Sequence, residues 1–419
     1  MMKNNLYLLT DFFPYGLGEK SFILPELPCL QEKFNVTILS CATLADRQNR
    51  EQETELDSTI RVIHYDKGMV TGKEVLRYLP AFMADRECRR EIRRIIATGK
   101  YLLKRVKSCL FFYANAVKLK KWLIENDLLD QNGLYYSYWY NYRVLSLVML
   151  KESVGRIVTR AHGYDLYEDQ TNCEWQPFKR FMDQYMDKAV FISKHGYEYY
   201  MKRYATAEER TDKYQICRLG AARQEVPKRE IQRDFFLLVS CSSVISVKRI
   251  YLIVEALSQI DVCRVKWVHF GDGDLLEDIR KDAERLLESK ENIVYELKGN
   301  FPNQEILSYY RKEVPDAIIM TSRSEGSPVA LQEALACGIP IIATKVGGIP
   351  ELVDGNGILL EPDPLAAQIA DAICTVCMMD ETERASMRRR SRELWEDSYD
   401  ISRNMHKFVD CLEKLMKGK

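Results

Sequence analysis

The 419-residue chain has no run of 18 apolar residues, so no segment reads as a membrane-spanning helix. Its formal net charge is zero, and no zinc-finger spacing is present, which leaves no signature of a nucleic-acid binder. No signal peptide precedes the 12 cysteines, so they are expected to be reduced, buried thiols of a cytoplasmic protein and not a disulfide framework. The lone pair Cys374 and Cys377 has no second ligand pair nearby and lies in the apolar stretch ADAICTVCMM, where helix packing is the expected role. Gly16 and Gly18 lack the third glycine of a GxGxxG loop, which disfavours a nicotinamide dinucleotide. Short repeats and low-complexity tracts are also missing.

What is present is an ordinary globular composition, 46 % hydrophobic and 29 % charged, in a chain too long for one core. Two domains are expected. Short β-type runs alternate with amphipathic stretches at 6–10, 35–40, 134–138, 156–160 and 189–193. The rhythm restarts at 235–240, 265–270, 292–297, 317–321, 340–344 and 357–360, the pattern of two α/β parallel sheets. The polar segment 221–234 between them has no apolar period and reads as the linker. The expected division is residues 1–224, residues 225–385, and a helical end at 386–419. A basic helical insertion over about 70–125 interrupts the first sheet. Within it, residues 73–121 hold 14 Lys and Arg against 4 Asp and Glu, interleaved with Leu76, Leu79, Phe82, Ile92, Ile95, Ile96, Leu102, Leu103, Leu110, Phe111 and Phe112. That mixture suits an anionic membrane surface, and equally a solvated helical face.

The densest chemistry lies in SRSEGSPVALQEALACGIPIIATKVGGIPELV. Ser327 is a good N-cap, Pro328 suits the first helical position, ahead of Val329, and Gly338 a stop, so 328–337 reads as a short helix. Its free N-terminal amides attract phosphate, with Gly326 allowing close approach. Glu325 and Glu333 supply carboxylates that can accept hydrogen bonds from sugar hydroxyls. Ser246 is expected to cap a second helix whose first turn carries Lys248 and Arg249. Two cations there oppose the helix dipole, an arrangement that a bound anion relieves. Asp272 and Asp274 form an Asp-x-Asp pair beside Gly271, where a tight turn is preferred to a metal site.

This run resembles the retaining nucleotide-sugar glycosyltransferases of glycosyltransferase family 4, in its Glu-x7-Glu spacing and its GGxPE loop at Gly347 to Glu351. Similar family patterns occur in order along most of the chain: FPYGLGEKSF at 13–22, RAHGYDLY at 160–167, FISKHGYEYY at 191–200, SVKRIYLIVEAL at 246–257 and HFGDGDLLE at 269–277. The resemblance implies a GT-B fold, two Rossmann-like doubly wound domains facing a cleft, with a C-terminal helix crossing back to the first domain. Trp395 and Tyr399 are candidate anchors for that crossing.

It implies a nucleoside diphosphate sugar as donor, a saccharide or lipid-linked saccharide as acceptor, and no cofactor or metal. Lys248 would neutralise the leaving diphosphate, Glu325 would contact the transferred sugar, and Glu333 would hold the ribose hydroxyls. His162 would contact the sugar or the forming bond. Gly16, Gly18 and Glu19 fit a loop closing over the substrates, and Tyr138 and Trp139 are candidates to stack on an acceptor sugar. His195 is read as helix surface or core. Where the family commonly has an arginine five residues before the lysine, this chain has Ser243, so either Arg249 or Arg323 supplies that charge or the serine binds phosphate through hydrogen bonds in a weaker or differently shaped site. Another GT-B enzyme, such as an epimerase or a phosphorylase, and a non-catalytic sugar-nucleotide partner remain alternatives.

Overall fold

A computed structural model describes residues 3–48, 54–206, 212–225 and 233–418. The chain divides into one unit of Met1–Cys217 with Met405–Lys419 and a second of Arg218–Asn404. Of the segment read as a linker, residues 226–232 lie outside the described residues. Its first residues belong to the second unit, where Ala221 pairs with Asp400.

The first unit is built on a parallel sheet of β1 (Asn4–Thr10), β2 (Phe34–Ser40), β3 (Arg61–His64), β4 (Leu134–Ser137), β5 (Arg156–Ala161), β6 (Lys188–Phe191) and β7 (Tyr214–Ile216). Its order is β3-β2-β1-β4-β5-β6-β7. The central strands read as near-continuous apolar runs because helices cover both faces. The edge strands β3 and β7 carry no such run. They are short and half-exposed, so hydrophobic patterning does not mark them. After β1 comes helix α1 (Leu17–Ile23).

The basic stretch between β3 and β4 folds into a 3-10 helix (Gly72–Tyr78) and a short α-helical segment (Leu79–Ala84), followed by α2 (Arg86–Thr98) and α3 (Leu102–Glu125). Asp85 caps α2 by accepting from the amides of Glu87 and Cys88, and Gly99 ends it at φ 66°. α3 buries Cys109, Tyr113 and Ala116 in the first core. It also buries Arg105, whose guanidinium donates to the carbonyls of Cys173 and Glu174.

The second unit carries β8 (Phe236–Cys241), β9 (Val265–Phe270), β10 (Ile293–Leu297), β11 (Ala317–Met320), β12 (Ile341–Thr344) and β13 (Gly357–Leu360), all parallel, in the order β10-β9-β8-β11-β12-β13. Its helices include α4 (Tyr251–Ser258) and α5 (Val329–Ala336). Trp395 and Tyr399 do not anchor a return to the first unit. Both are buried in the second, Trp395 donating to the carbonyl of Ala221 and Tyr399 to that of Glu351. The returning part of the last helix, α6 (Ile401–Lys417), is held instead by Phe408, which lies 4.1 Å from the Arg160 guanidinium and 5.2 Å from the Tyr136 ring.

Arg160 also pairs with Glu26, and both side chains are fully buried. Removing one partner strands the other charge, so Glu26→Ala should cost about 3–5 kcal/mol in the denaturant unfolding of the first unit. Glu413→Ala, which breaks the exposed Lys33 pair, should cost under about 1 kcal/mol.

Candidate functional site

In each sheet the strand order reverses at a neighbouring pair, β1 and β4 in the first, β8 and β11 in the second. At such a switch point the loops leaving the two strands run to opposite sides and open a crevice at the carboxyl ends. In the second unit these two loops carry Lys248 and Glu325. The Nζ of Lys248 lies 2.6 Å from Oε1 of Glu325.

Backbone and side chains stitch the loops together. Arg323 N donates to Val247 O at 2.8 Å, and Thr321 Oγ1 donates to the carbonyls of Lys248 and Arg249, each at 3.0 Å. The expected helix start at Ser246 is not observed. Residues 246–248 form a single 3-10 turn, Arg249 takes a left-handed backbone at φ 52°, and α4 begins only at Tyr251. The Arg249 side chain is buried, donating to the carbonyls of Thr321, Ser322 and Pro362 and pairing with Asp363. It is a strut between loops, with its donors committed inside the protein, and not a free cation for a ligand. Ser243 and Arg323 are exposed.

The cap of α5 also differs from expectation. Pro328 occupies the N-cap and Val329 the first helical position, while Ser327 Oγ accepts from Gln332 Nε2 at 2.9 Å. Proline cannot supply a capping side chain, so the first-turn amides of Val329 and Ala330 have no intrahelical partner. Gly326 accepts from Gly348 N at 3.0 Å. Gly347, at φ 52°, approaches so closely that a Cβ there would lie 1.7 Å from the Glu325 carbonyl. Gly271, at φ 146°, backs onto Ser242 in the same way and supports the loop after β8. The GGIPE and GDGD runs therefore act first as spacers for residues 242–249 and 325–328.

Glu333 is buried on α5 and accepts from Asn303 Nδ2 at 2.8 Å. Burial pushes its carboxyl up to about 7, against a smaller lowering by Asn303. Cys241, at the end of β8, is pushed up to about 12 by burial, with Glu333 raising it further and Lys248 lowering it. Asp272 accepts from Gly273 N at 2.7 Å in an exposed turn, and Cys374 lies 3.9 Å from the Cys263 sulfur beside the second core.

A second group gathers at the strand ends of the first unit. Tyr138 is fully buried, so it cannot stack on a ligand. Trp139 is half-buried, its indole N–H donating to Glu19 at 2.5 Å and its ring 4.5 Å from His162 and 5.0 Å from the exposed Tyr164. Glu19 is not in an open loop. It lies buried in α1, behind Gly16 and Gly18, and accepts from the amides of Asp11, Phe12 and Phe13. His162 is buried, its backbone N–H held by Asp165 and its Nδ1 3.5 Å from that carboxylate, while Nε2 has no partner among the described residues. Burial lowers its pKa, leaving a neutral imidazole at neutral pH. His195 is exposed and bonds Tyr167.

Residues 222–394 match the family described as Glycosyl transferases group 1. The match spans nearly the whole of the second unit. Over 289 residues the chain is 28 % identical to an uncharacterized glycosyltransferase of Methanocaldococcus jannaschii, covering 68 % of this chain and 76 % of that protein. It is 25 % identical to the WcaL glycosyltransferase of Escherichia coli, named for colanic acid biosynthesis, covering 62 % of this chain and 65 % of that one. Among solved structures, Anabaena HepE in complex with UDP-glucose aligns over 98 % of this chain and all of its own, at TM-score 0.66 and 14 % identity. That likeness establishes the two-domain GT-B fold.

Sequence reasoning missed Asn303 and Asp165 as supports of Glu333 and His162. Asn303 follows Pro302 at a helix start, and Asp165 lies inside the RAHGYDLY run, but neither signal says which distant side chain it will meet. In the second unit, ionising Glu333 costs more in the folded than in the unfolded chain. Stability relative to Glu333→Gln should therefore fall as pH rises from about 4.5 to about 7, by up to about 3 kcal/mol. Denaturant unfolding of both proteins across that range checks this, and parallel pH profiles would contradict it.

Proposed function

We propose that this glycosyltransferase belongs to family 4 and moves a hexose-type sugar from a nucleoside diphosphate sugar to a saccharide or lipid-linked saccharide, with retention at the anomeric carbon and without a metal ion. The observation that carries the donor half is the pairing of Lys248 with Glu325 at the switch point of the second sheet, next to α5. In this reading the diphosphate lies on the first-turn amides of α5 and takes over Lys248, which balances the charge of the leaving group. Glu325, released from that pair, accepts from hydroxyls of the transferred sugar, and Glu333 from the two ribose hydroxyls. Arg323, exposed in the same loop, supplies the cation absent at Ser243. The neutral His162, with a spare ring nitrogen, contacts the sugar or the forming bond.

UDP-glucose in the HepE structure supports a nucleotide-sugar donor, and the name of WcaL supports a role in cell-surface polysaccharide or glycolipid assembly. The exposed Leu76, Met83, Ile96 and Leu103, set among the basic residues of the insertion, support peripheral contact with the inner face of a membrane. Among the described residues no helix is long and apolar enough to cross one. Ser243 in place of the family arginine favours a second reading, a non-catalytic sugar-nucleotide-binding partner. Nucleoside diphosphate release that depends on an acceptor excludes it.

Glu333→Ala should weaken nucleotide-sugar binding at least about tenfold, and Glu325→Ala should lower turnover by about 10²-fold or more with a smaller change in affinity. Unchanged affinity in Glu333→Ala removes the ribose assignment. Transfer should persist in chelator, whereas loss restored by Mn²⁺ would contradict the metal-free reading. Co-sedimentation with anionic but not neutral vesicles is expected, and its absence removes the membrane contact.

A further inference from the structure

The largest cavity described in the first unit, about 920 Å³, is lined at the carboxyl ends of β1, β2, β4 and β5 and by one stripe of α3. The stripe is Lys104, Lys107, Ser108, Phe111 and Phe112, at spacing i, i+3, i+4, i+7, i+8, which places all five on one helix face. The adjoining stripe of Arg105, Cys109, Tyr113 and Ala116 is buried in the core, so α3 is fixed with its other face toward the cavity. Cations and aromatics are graded along the stripe, with the lysines in the first two turns and the phenylalanines in the third.

The charges do not balance. Lys104 and Lys107 are exposed and have no carboxylate partner among the described residues. Their ammonium groups lie 5.7 Å from the Tyr101 ring and 6.0 Å from the Phe111 ring. The carboxylates lining the cavity are Asp11 and Asp165. Asp11 is paired with Arg143, and Asp165 is taken by the backbone amides of Tyr140 and His162. The two lysines therefore leave an uncompensated positive charge beside an apolar lining that includes Met69, Phe112 and Trp175. An anion attached to an apolar chain would satisfy both ends. The volume is at the upper end of the range for small-molecule sites, about 300–1,000 Å³. Exposed apolar side chains adjoin the lysines at Leu102 and Leu103, and Met69 is itself exposed.

We infer that this cavity is the acceptor site and that the acceptor is a lipid phosphate or diphosphate carrying the saccharide. Its phosphate lies at Lys104 and Lys107, its chain along Phe111, Phe112 and Met69, and its sugar toward Asp165, the residue that holds His162. The inference rests on the glycosyltransferase reading and narrows its acceptor to the lipid-linked class.

The test is a titration of the full chain with farnesyl phosphate, followed by intrinsic tryptophan fluorescence, with Trp175→Phe separating the signal of Trp175 from that of the other four tryptophans. Saturable binding is expected, with farnesol and inorganic phosphate each at least about tenfold weaker. The variant Lys104→Glu/Lys107→Glu, at exposed positions, should bind farnesyl phosphate at least about tenfold more weakly with an unchanged melting curve. Equal affinity in the double variant, equally tight inorganic phosphate, or no saturable binding would each overturn the inference. Nucleotide-sugar affinity of the unaltered chain is measured in parallel. If the nucleotide sugar binds and farnesyl phosphate does not, only the acceptor assignment fails; if neither binds, the glycosyltransferase reading fails with it.

Discussion

The switch-point loops of the second unit depend on one buried guanidinium. Arg249 holds a left-handed backbone that a long side chain rarely adopts, at a cost of about 1–3 kcal/mol. Hydrogen bonds to three carbonyls and an ion pair with Asp363 offset that cost. Those carbonyls belong to the loop after β11 and the segment after β13, so the side chain welds them to the loop after β8. Lys248, the preceding residue, is thereby delivered against Glu325. A freely exposed arginine at this position could not do both jobs, because its donors would be divided between protein and ligand.

The first unit uses buried carboxylates for the same purpose. Glu19 gathers three consecutive amides and the Trp139 indole, and Asp165 gathers the amides that follow β4 and β5. In each case a fully engaged charged residue fixes the loops, and a neighbour is left with unused capacity. Lys248 has a single carboxylate partner, and His162 has a ring nitrogen with none among the described residues. Groups with spare hydrogen-bonding capacity in a fixed place can bind a ligand with little reorganisation.

The two sheets also divide the chemistry by charge. The second unit offers helix-start amides, one lysine and two carboxylates, a set suited to a phosphate ester with hydroxyls on both sides. The insertion in the first unit brings lysines and phenylalanines to the strand ends through α3, a set suited to an amphiphile. Without α3 that end of the sheet would lack both lysines and both phenylalanines. The insertion therefore lines that cavity and is not only an elaboration of the fold.

The α/β class, the central strands and the pairing of Glu325 with Glu333 on one short segment were legible from apolar runs and helix-stop residues, which are local signals. The edge strands β3 and β7 were not, because half-exposed strands carry no such run. Ser327 looked like a cap and Arg249 like a ligand for the same reason that Glu19, Tyr138 and Trp139 looked open. Residue type states what a side chain can do, whereas burial states which partner has already claimed it. The sequence by itself determined two parallel sheets and the stock of phosphate- and hydroxyl-binding groups, since periodicity and residue chemistry are properties of the chain. Only the tertiary structure decided that Lys248 meets Glu325 while Arg249 does not, because hydrogen bonds between loops more than 70 residues apart consume one cation and spare its neighbour.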